Sequence, residues 1–264
     1  MSGMKTNTPP VKAIILSAGQ GRRLLPLTKN APKCLLPISG KPIIEWEIDA
    51  LVARGIVNIT VVTGFESNAV EAVLQRRYAN RAHINIIFNP FFEVADNLVS
   101  CWVARSAMNH DFLLLNGDII FDPEVLTKVL NSEPAPITLC VNRKSVYDAD
   151  DMKVQLDRKG CVRHVSKTLP VSQIDAESIG LVFFRQEGPQ LFCNAIENAL
   201  RHRDKLKSWY FTIIDALAGT RMIKACSVSE HRWCEVDVAA DLAIAEELFG
   251  RMTPTQRCSN IPVT

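Results

Sequence analysis

The chain predicts an α/β fold built on a mixed, mainly parallel sheet flanked by helices, and three observations point there. Runs rich in β-formers alternate with helical patterns over roughly the first 130 residues. The first run, residues 12–17 (KAIILS), is continuously apolar, as a strand covered on both faces must be. Beyond it the texture changes after about residue 130 to shorter strands separated by turn signals such as Asp157-Arg158-Lys159-Gly160, which adds an α+β part. With 264 residues, 47% apolar and 22% charged, the chain can bury a sizeable core.

Each element has a local reason. The strand at 12–17 ends in small residues and feeds a glycine loop that runs to about Gly40. From Pro42 to Arg54 the positions Ile43, Ile44, Ile48, Leu51 and Val52 fall at helical spacing, with proline at the start and Gly55 at the stop. NITVVTG (58–64), INIIFN (84–89) and DFLLLNGD (111–118) read as further strands, with helices at 67–79 and 97–107 between them. A short helix over 123–130 precedes strands at 137–142, 152–157, 161–167 and 178–184. Helices at 188–203 and 211–218, a strand at 222–228 and a closing helix over 239–249 follow. No repeat or linker interrupts residues 11–251, so one domain is expected there, with 1–10 and 252–264 as tails.

Composition excludes several classes. The net charge of +2 is too small for a general footprint on nucleic acid or anionic membrane, so any phosphate site must be local. There is no run of 18 apolar residues, and Met1 to Pro10 is polar with two prolines, so neither a membrane span nor a secretory signal is expected. A cytoplasmic protein is the expectation. The eight cysteines form no C-x-x-C pair and sit mostly in apolar segments, as reduced core thiols do. Five scattered histidines show no paired spacing, and no Ser-His-Asp or Cys-His set emerges.

Ser17-Ala18-Gly19-Gln20-Gly21, directly after the first strand, is a loop whose backbone N–H groups can close on an anion. A dinucleotide fingerprint would need a third glycine where Leu24 stands and an acid near Ile38-Ser39-Gly40-Lys41, and a Walker loop would need Gly-Lys-Ser/Thr where Gly40-Lys41-Pro42 stands. Both are excluded. The continuation LSAGQGRRLLPLTKNAPKCLLPISGKPII instead resembles the signature of the nucleotidyltransferases that join a nucleoside triphosphate to a phosphorylated small molecule, LAAGxGTRLxPLT, xxPKxLxP and GKPxI.

The resemblance implies a Rossmann-like fold with an inserted α+β part that binds the acceptor, a nucleotide-binding half at about 11–130 and an acceptor-binding half at about 131–251. It places Ser17, Ala18, Gly19, Gly21 and Arg22 at the nucleotide and makes Arg23 and Lys33 catalytic cations; Arg22 stands where the family has Thr or Ser. The chemistry agrees. Nucleotidyl transfer develops charge on the α-phosphate and releases pyrophosphate, which an arginine fork and a lysine point charge are suited to grip.

Asp118 closes the apolar run Leu113 to Asp118, at the strand edge where ligands bind in such folds, and matches the family's (N/S)GD motif, whose aspartate holds Mg²⁺. Asp237 in Trp233-Cys234-Glu235-Val236-Asp237 resembles the late V-D element, so the two aspartates form one expected Mg²⁺ site. Either could instead cap a helix or turn, and Glu235 is left without an assignment.

Asn89 to Ser100 lacks the Gln-Pro…Gly-Leu-Ala segment of sugar-phosphate members and resembles that of cytidylyltransferases acting on phosphocholine, inositol 1-phosphate or aminoethylphosphonate, with Asn97 and Ser100 at the nucleotide. The same branch implies a catalytic Lys153 facing the α-phosphate, and Lys167 and Gly180 on the acceptor side; Trp209 and Tyr210 are available for an acceptor cage. The expected reaction is Mg²⁺-dependent transfer from CTP to a small phosphorylated or phosphonate acceptor. A sugar-1-phosphate uridylyl-, thymidylyl- or guanylyltransferase and a non-catalytic nucleotide-sensing module are the alternatives, and a homo-oligomer is left open.

Overall fold

The computed structural model describes residues 11–250; the expected tails at 1–10 and 252–264, and Cys258, lie outside the described residues. β1 (Lys12–Ser17) carries Ala13, Ile14 and Ile15 fully buried, as its apolar texture requires. After the glycine loop, a small hairpin of β2 (Pro37–Ile38) and β3 (Lys41–Pro42) leads into α1 (Ile43–Ala53). β4 (Asn58–Thr63), α2 (Ser67–Tyr78), β5 (His83–Phe88), α3 (Asn97–Val103) and β6 (Phe112–Asn116) continue the alternation. β7 (Ile119–Phe121) and α4 (Pro123–Leu130) close the first half. β8 (Ile137–Asn142), β9 (Lys153–Leu156), β10 (Val162–Ser166) and β11 (Ala176–Phe184) follow, then α5 (Gly188–Leu200), α6 (Phe211–Ala218), β12 (Ile223–Ser227), β13 (Trp233–Glu235) and α7 (Ala239–Phe249).

Nine strands share one sheet in the order β10-β9-β11-β6-β1-β4-β5, with β8 on the other side of β11 and β12 beside β8. β6, β1, β4 and β5 are parallel, whereas β11 runs antiparallel to β6, β8 and β9. The α+β part therefore continues the sheet of the first half through β11, all nine residues of which are buried.

Both sheet faces are covered. Ile44, Ile48 and Leu51 of α1, Val70 and Leu74 of α2 and Val125 and Leu126 of α4 fill one side. Leu98 and Cys101 of α3, Phe192 and Ile196 of α5 and Ile213 and Ile214 of α6 fill the other. Full burial of a Leu, Ile or Phe side chain stabilises by about 1.5–3 kcal/mol, so these two layers hold the sheet rigid under the site. The seven described cysteines are unpaired thiols, six of them buried. No described helix is long and apolar enough to cross a membrane.

Among the segments that differ from the sequence reading, two have a clear local reason. The helix expected over 97–107 stops at Val103 and tightens into a 3₁₀ turn at Arg105–Ala107, with the Arg105 guanidinium donating to the Trp102 carbonyl. The strand expected to carry Asp118 ends at Asn116, because Gly117 turns there to donate its N–H to the Leu16 carbonyl (3.0 Å). A Cβ on Gly117 would meet that carbonyl oxygen at 2.6 Å, so only glycine lets the turn lie this close to β1. The chain then re-enters as β7, which pairs with β13, a partner more than a hundred residues away.

Candidate active site

β1 and β6 deliver their carboxyl ends to a cavity of about 480 Å³, the sheet edge at which parallel α/β folds bind ligands. The glycine loop crosses this edge with Gly21 at φ 76°, and a Cβ there would sit 2.8 Å from Lys33 Cβ. Glycine is needed twice, for the turn and for the passage of the Lys33 stem. The buried Thr28 ties the loop by donating its hydroxyl to the Gly21 carbonyl (2.8 Å).

A third, smaller core brings the loop to the end of the chain. Leu24 and Leu36 are buried with Ile120 of β7, Cys234 of β13, Val236 just beyond it, and Ala245 and Phe249 of α7. Leu24 adjoins Arg23, and Val236 lies between Glu235 and Asp237, so burying the apolar residues registers the charged ones. Lys33 Nζ lies 2.6 Å from Asp118 Oδ2 and, across 204 residues of sequence, 2.5 Å from Asp237 Oδ1. Arg23 reaches the other Asp237 oxygen at 2.8 Å and Asp150 at 3.1 Å.

The electrostatics follow from this geometry. Burial works against the Lys33 charge, yet Asp118 and Asp237 hold its ammonium above the ordinary lysine range. Burial likewise opposes ionisation of Asp237, but Lys33, Arg23 and Lys167 keep its carboxyl below the usual value. Glu235 is pushed up to about 8 by burial and by the neighbouring Asp118 and Asp237 charges. Asp118, Glu235 and Asp237 each offer an oxygen, all within 4.8 Å of one another, and Asp118 Oδ1 is buried without a hydrogen-bond partner. A hard-oxygen set with an unsatisfied buried oxygen fits a divalent cation.

Several expected residues meet in this cavity: Gly19, Gly21, Arg22, Arg23, Lys33, Asn97, Asp118, Lys167, Gly180, Trp209 and Asp237 all line it. Arg22 makes no ion pair among the described residues, while Lys167 Nζ stands 4.5 Å over the Trp209 ring and 3.8 Å from Asp150. Asp237 is not a helix cap. Asp241 accepts from the Asp237 and Val238 N–H groups at the start of α7 (2.7 and 2.8 Å), leaving the Asp237 carboxylate to the cations. The α3 N-cap is Asp96, and the Asn97 side chain instead accepts from Tyr210 N–H (2.9 Å).

Other residues expected at the site lie deeper than the cavity wall. Lys153 is buried, and its ammonium donates to the carbonyls of Ala149 (3.1 Å), Asp151 (3.3 Å) and Lys167 (2.9 Å), which uses all three of its hydrogens and leaves none for a phosphate. It ties the loop bearing Asp150 to the end of β10. Ser17 is buried against Gly117, and Ala18 is buried with its carbonyl accepting from Phe65 N–H (3.0 Å). The buried Ser100 hydroxyl accepts from Asn89 Nδ2 (3.0 Å). The Tyr210 ring is wholly buried and its hydroxyl donates to Asn116 Oδ1 (3.2 Å), so it positions cavity residues without reaching the cavity.

Sequence reasoning missed Glu47, whose Oε1 accepts from the N–H of Ile119 next to Asp118 (3.2 Å) and whose carboxyl burial pushes well above the usual range. Its signal was present: position 47 lies four residues after Ile43 and four before Leu51, on the apolar stripe of α1.

Comparison with known proteins places the chain among nucleotide-transferring enzymes. The CMP-5'-(3-aminopropyl)phosphonate synthase of Streptomyces rubellomurinus is 28% identical over 258 residues, covering 94% of this chain, although the chain spans only 40% of that relative's length. The CTP:phosphoglutamine cytidylyltransferase of Campylobacter jejuni is 25% identical, with 90% of this chain and 100% of the relative covered. Among solved structures, the inositol-1-phosphate CTP transferase of T. maritima shares the fold, with a TM-score of 0.76 at 19% identity over 90% of this chain and 94% of that one. Residues 12–149, which include the glycine loop, Lys33 and Asp118, match the family model described as nucleotidyl transferase, and the chain belongs to that family of enzymes.

Proposed function

We propose that this enzyme transfers the cytidylyl group of CTP to a small phosphate- or phosphonate-bearing acceptor and releases pyrophosphate. The observation that carries this reading is the Lys33–Asp118–Asp237 cluster, with the unpartnered Asp118 oxygen, in the same cavity as Arg22, Arg23 and Lys167. The choice of CTP is supported by the names of two relatives that match along most of this chain, one a cytidylyltransferase and one a synthase of a CMP-linked phosphonate.

The acceptor is already an anionic nucleophile, so no general base is required; among the described residues no histidine or cysteine lines the cavity. Its oxygen attacks the α-phosphorus, a new P–O bond forms, and the α–β bridging P–O bond breaks with its electron pair leaving on pyrophosphate. Arg22, Arg23 and Lys33 face the triphosphate, and Lys167 faces the acceptor phosphate, so the cations offset the repulsion between two anions brought together. Asp118 and Asp237 would hold Mg²⁺, with Glu235 beside them, and when bound the ion would supply charge neutralisation on the triphosphate.

A pyrophosphate-release assay crossing four nucleoside triphosphates with phosphocholine, aminoethylphosphonate, inositol 1-phosphate and hexose 1-phosphates tests the reading. Turnover is expected with CTP and one of the first three; preference for UTP or dTTP with a hexose 1-phosphate would move the enzyme to the sugar-phosphate branch. Asp118→Asn should lower turnover by about 10²-fold or more with the fold retained by circular dichroism, and an unchanged rate at saturating Mg²⁺ would remove Asp118 from the site. Lys153→Met should instead cost about 1–3 kcal/mol in urea unfolding, because it removes a charged donor from three part-buried hydrogen bonds. A 10²-fold loss of kcat at wild-type stability would return Lys153 to the reacting phosphates.

A further inference from the structure

Glu47 is a fully buried acid among apolar neighbours, with Ile43, Ile44, Ile48 and Leu51 of the same helix all buried. Oε1 accepts from the Ile119 N–H at 3.2 Å, whereas Oε2 has no partner. Four buried side-chain polar atoms among the described residues lack a hydrogen bond, and three of them border the turn at 117–119: Ser17 Oγ against Gly117, Asp118 Oδ1, and Glu47 Oε2. An aliphatic side chain would avoid the unpaired oxygen at position 47. Polar groups left unsatisfied in this way gather where a site, not the core, dictates the residue.

The partner of Glu47 identifies its task. The Ile119 N–H belongs to the peptide unit that joins it to Asp118, and the carbonyl of that same unit accepts from Val236 N–H at 2.9 Å. One peptide plane is thus held from α1 by Glu47 and from the segment carrying Glu235 and Asp237 by Val236. We infer that Glu47 is a positioning residue, which through the Ile119 amide fixes the peptide that aims the Asp118 carboxylate into the cavity and registers it against Asp237.

This inference rests on the reading of Asp118 and Asp237 as a divalent-cation site, and the test separates the two. Binding of Mn²⁺ to the full chain, with and without CTP, is read from the electron paramagnetic resonance signal of free Mn²⁺, and the thermal midpoint of each variant is recorded alongside. Glu47→Gln keeps an oxygen to accept from Ile119 and should bind Mn²⁺ within about twofold of wild type. Glu47→Met keeps the length but loses the acceptor, and should weaken Mn²⁺ binding and raise the Mg²⁺ concentration for half-maximal turnover by about tenfold or more, as loss of partners behind metal ligands does. Wild-type Mn²⁺ affinity in Glu47→Met would show that position 47 only packs, and loss of affinity in Glu47→Gln would show that the Ile119 bond is not what matters; the second decides the question even if Glu47→Met does not fold. A wild-type protein that binds no Mn²⁺ in either condition removes the cation site itself, and this inference with it.

Discussion

The Asp118 and Asp237 carboxylates repel each other across a cluster whose carboxyl oxygens, Glu235's included, lie within 4.8 Å of one another, and the Lys33 ammonium, in contact with both, offsets that repulsion from inside the cluster. At an effective dielectric constant of about 20, two unit charges 4 Å apart interact by about 4 kcal/mol, enough to keep such a cluster from closing without a cation. The surrounding structure serves this contact. Gly21 has no side chain where the Lys33 stem passes, and the small core of Leu24, Leu36, Val236 and α7 holds the glycine loop in register with the segment carrying Asp237. The two large cores fix the strand ends against which both must fit.

The same arrangement makes the site receptive to anions. Arg23 bridges Asp237 and the exposed Asp150, and Lys167 stands between Asp150 and the Trp209 ring, so two cations of the cavity wall are paired with a carboxylate that water also reaches. Such exposed pairs are worth about 0–1 kcal/mol and yield to a better-charged partner such as a phosphate. Arg22 has no carboxylate to leave. Charge in this wall is positioned by the fold before any ligand arrives, which is how preorganised sites avoid reorganisation during reaction.

What could be read from the sequence follows the range of each signal. The glycine loop and Asp118 were legible because a strand and the turn after it are encoded within a few positions, and Lys33 through the family resemblance of the segment around Pro32-Lys33. Asp237 was legible for the same reason, as an acid ending a short apolar segment. The pairing of β7 with β13 was not, since two three-residue strands carry little periodicity and their partnership depends on packing under α7. The surroundings of Lys153 were not legible, because residue type and strand register do not reveal which carbonyls surround a side chain; the loop that folds back over it supplies them. Ser100 and Tyr210 lie one layer behind the cavity, hydrogen-bonded to Asn89, Asn97 and Asn116. Glu47 was visible as an acid on an apolar stripe, but its purpose appears only when β7 is seen beside α1.

In the proposed reaction, charge and position bring the acceptor directly onto the α-phosphorus, with no covalent intermediate on the enzyme. The stereochemical course of transfer from CTP bearing sulfur at one diastereomeric position of the α-phosphate tests this most directly. A single in-line displacement inverts the configuration at phosphorus, and inversion is the predicted result; retention, which requires two displacements through an enzyme-bound nucleotidyl group, would contradict it.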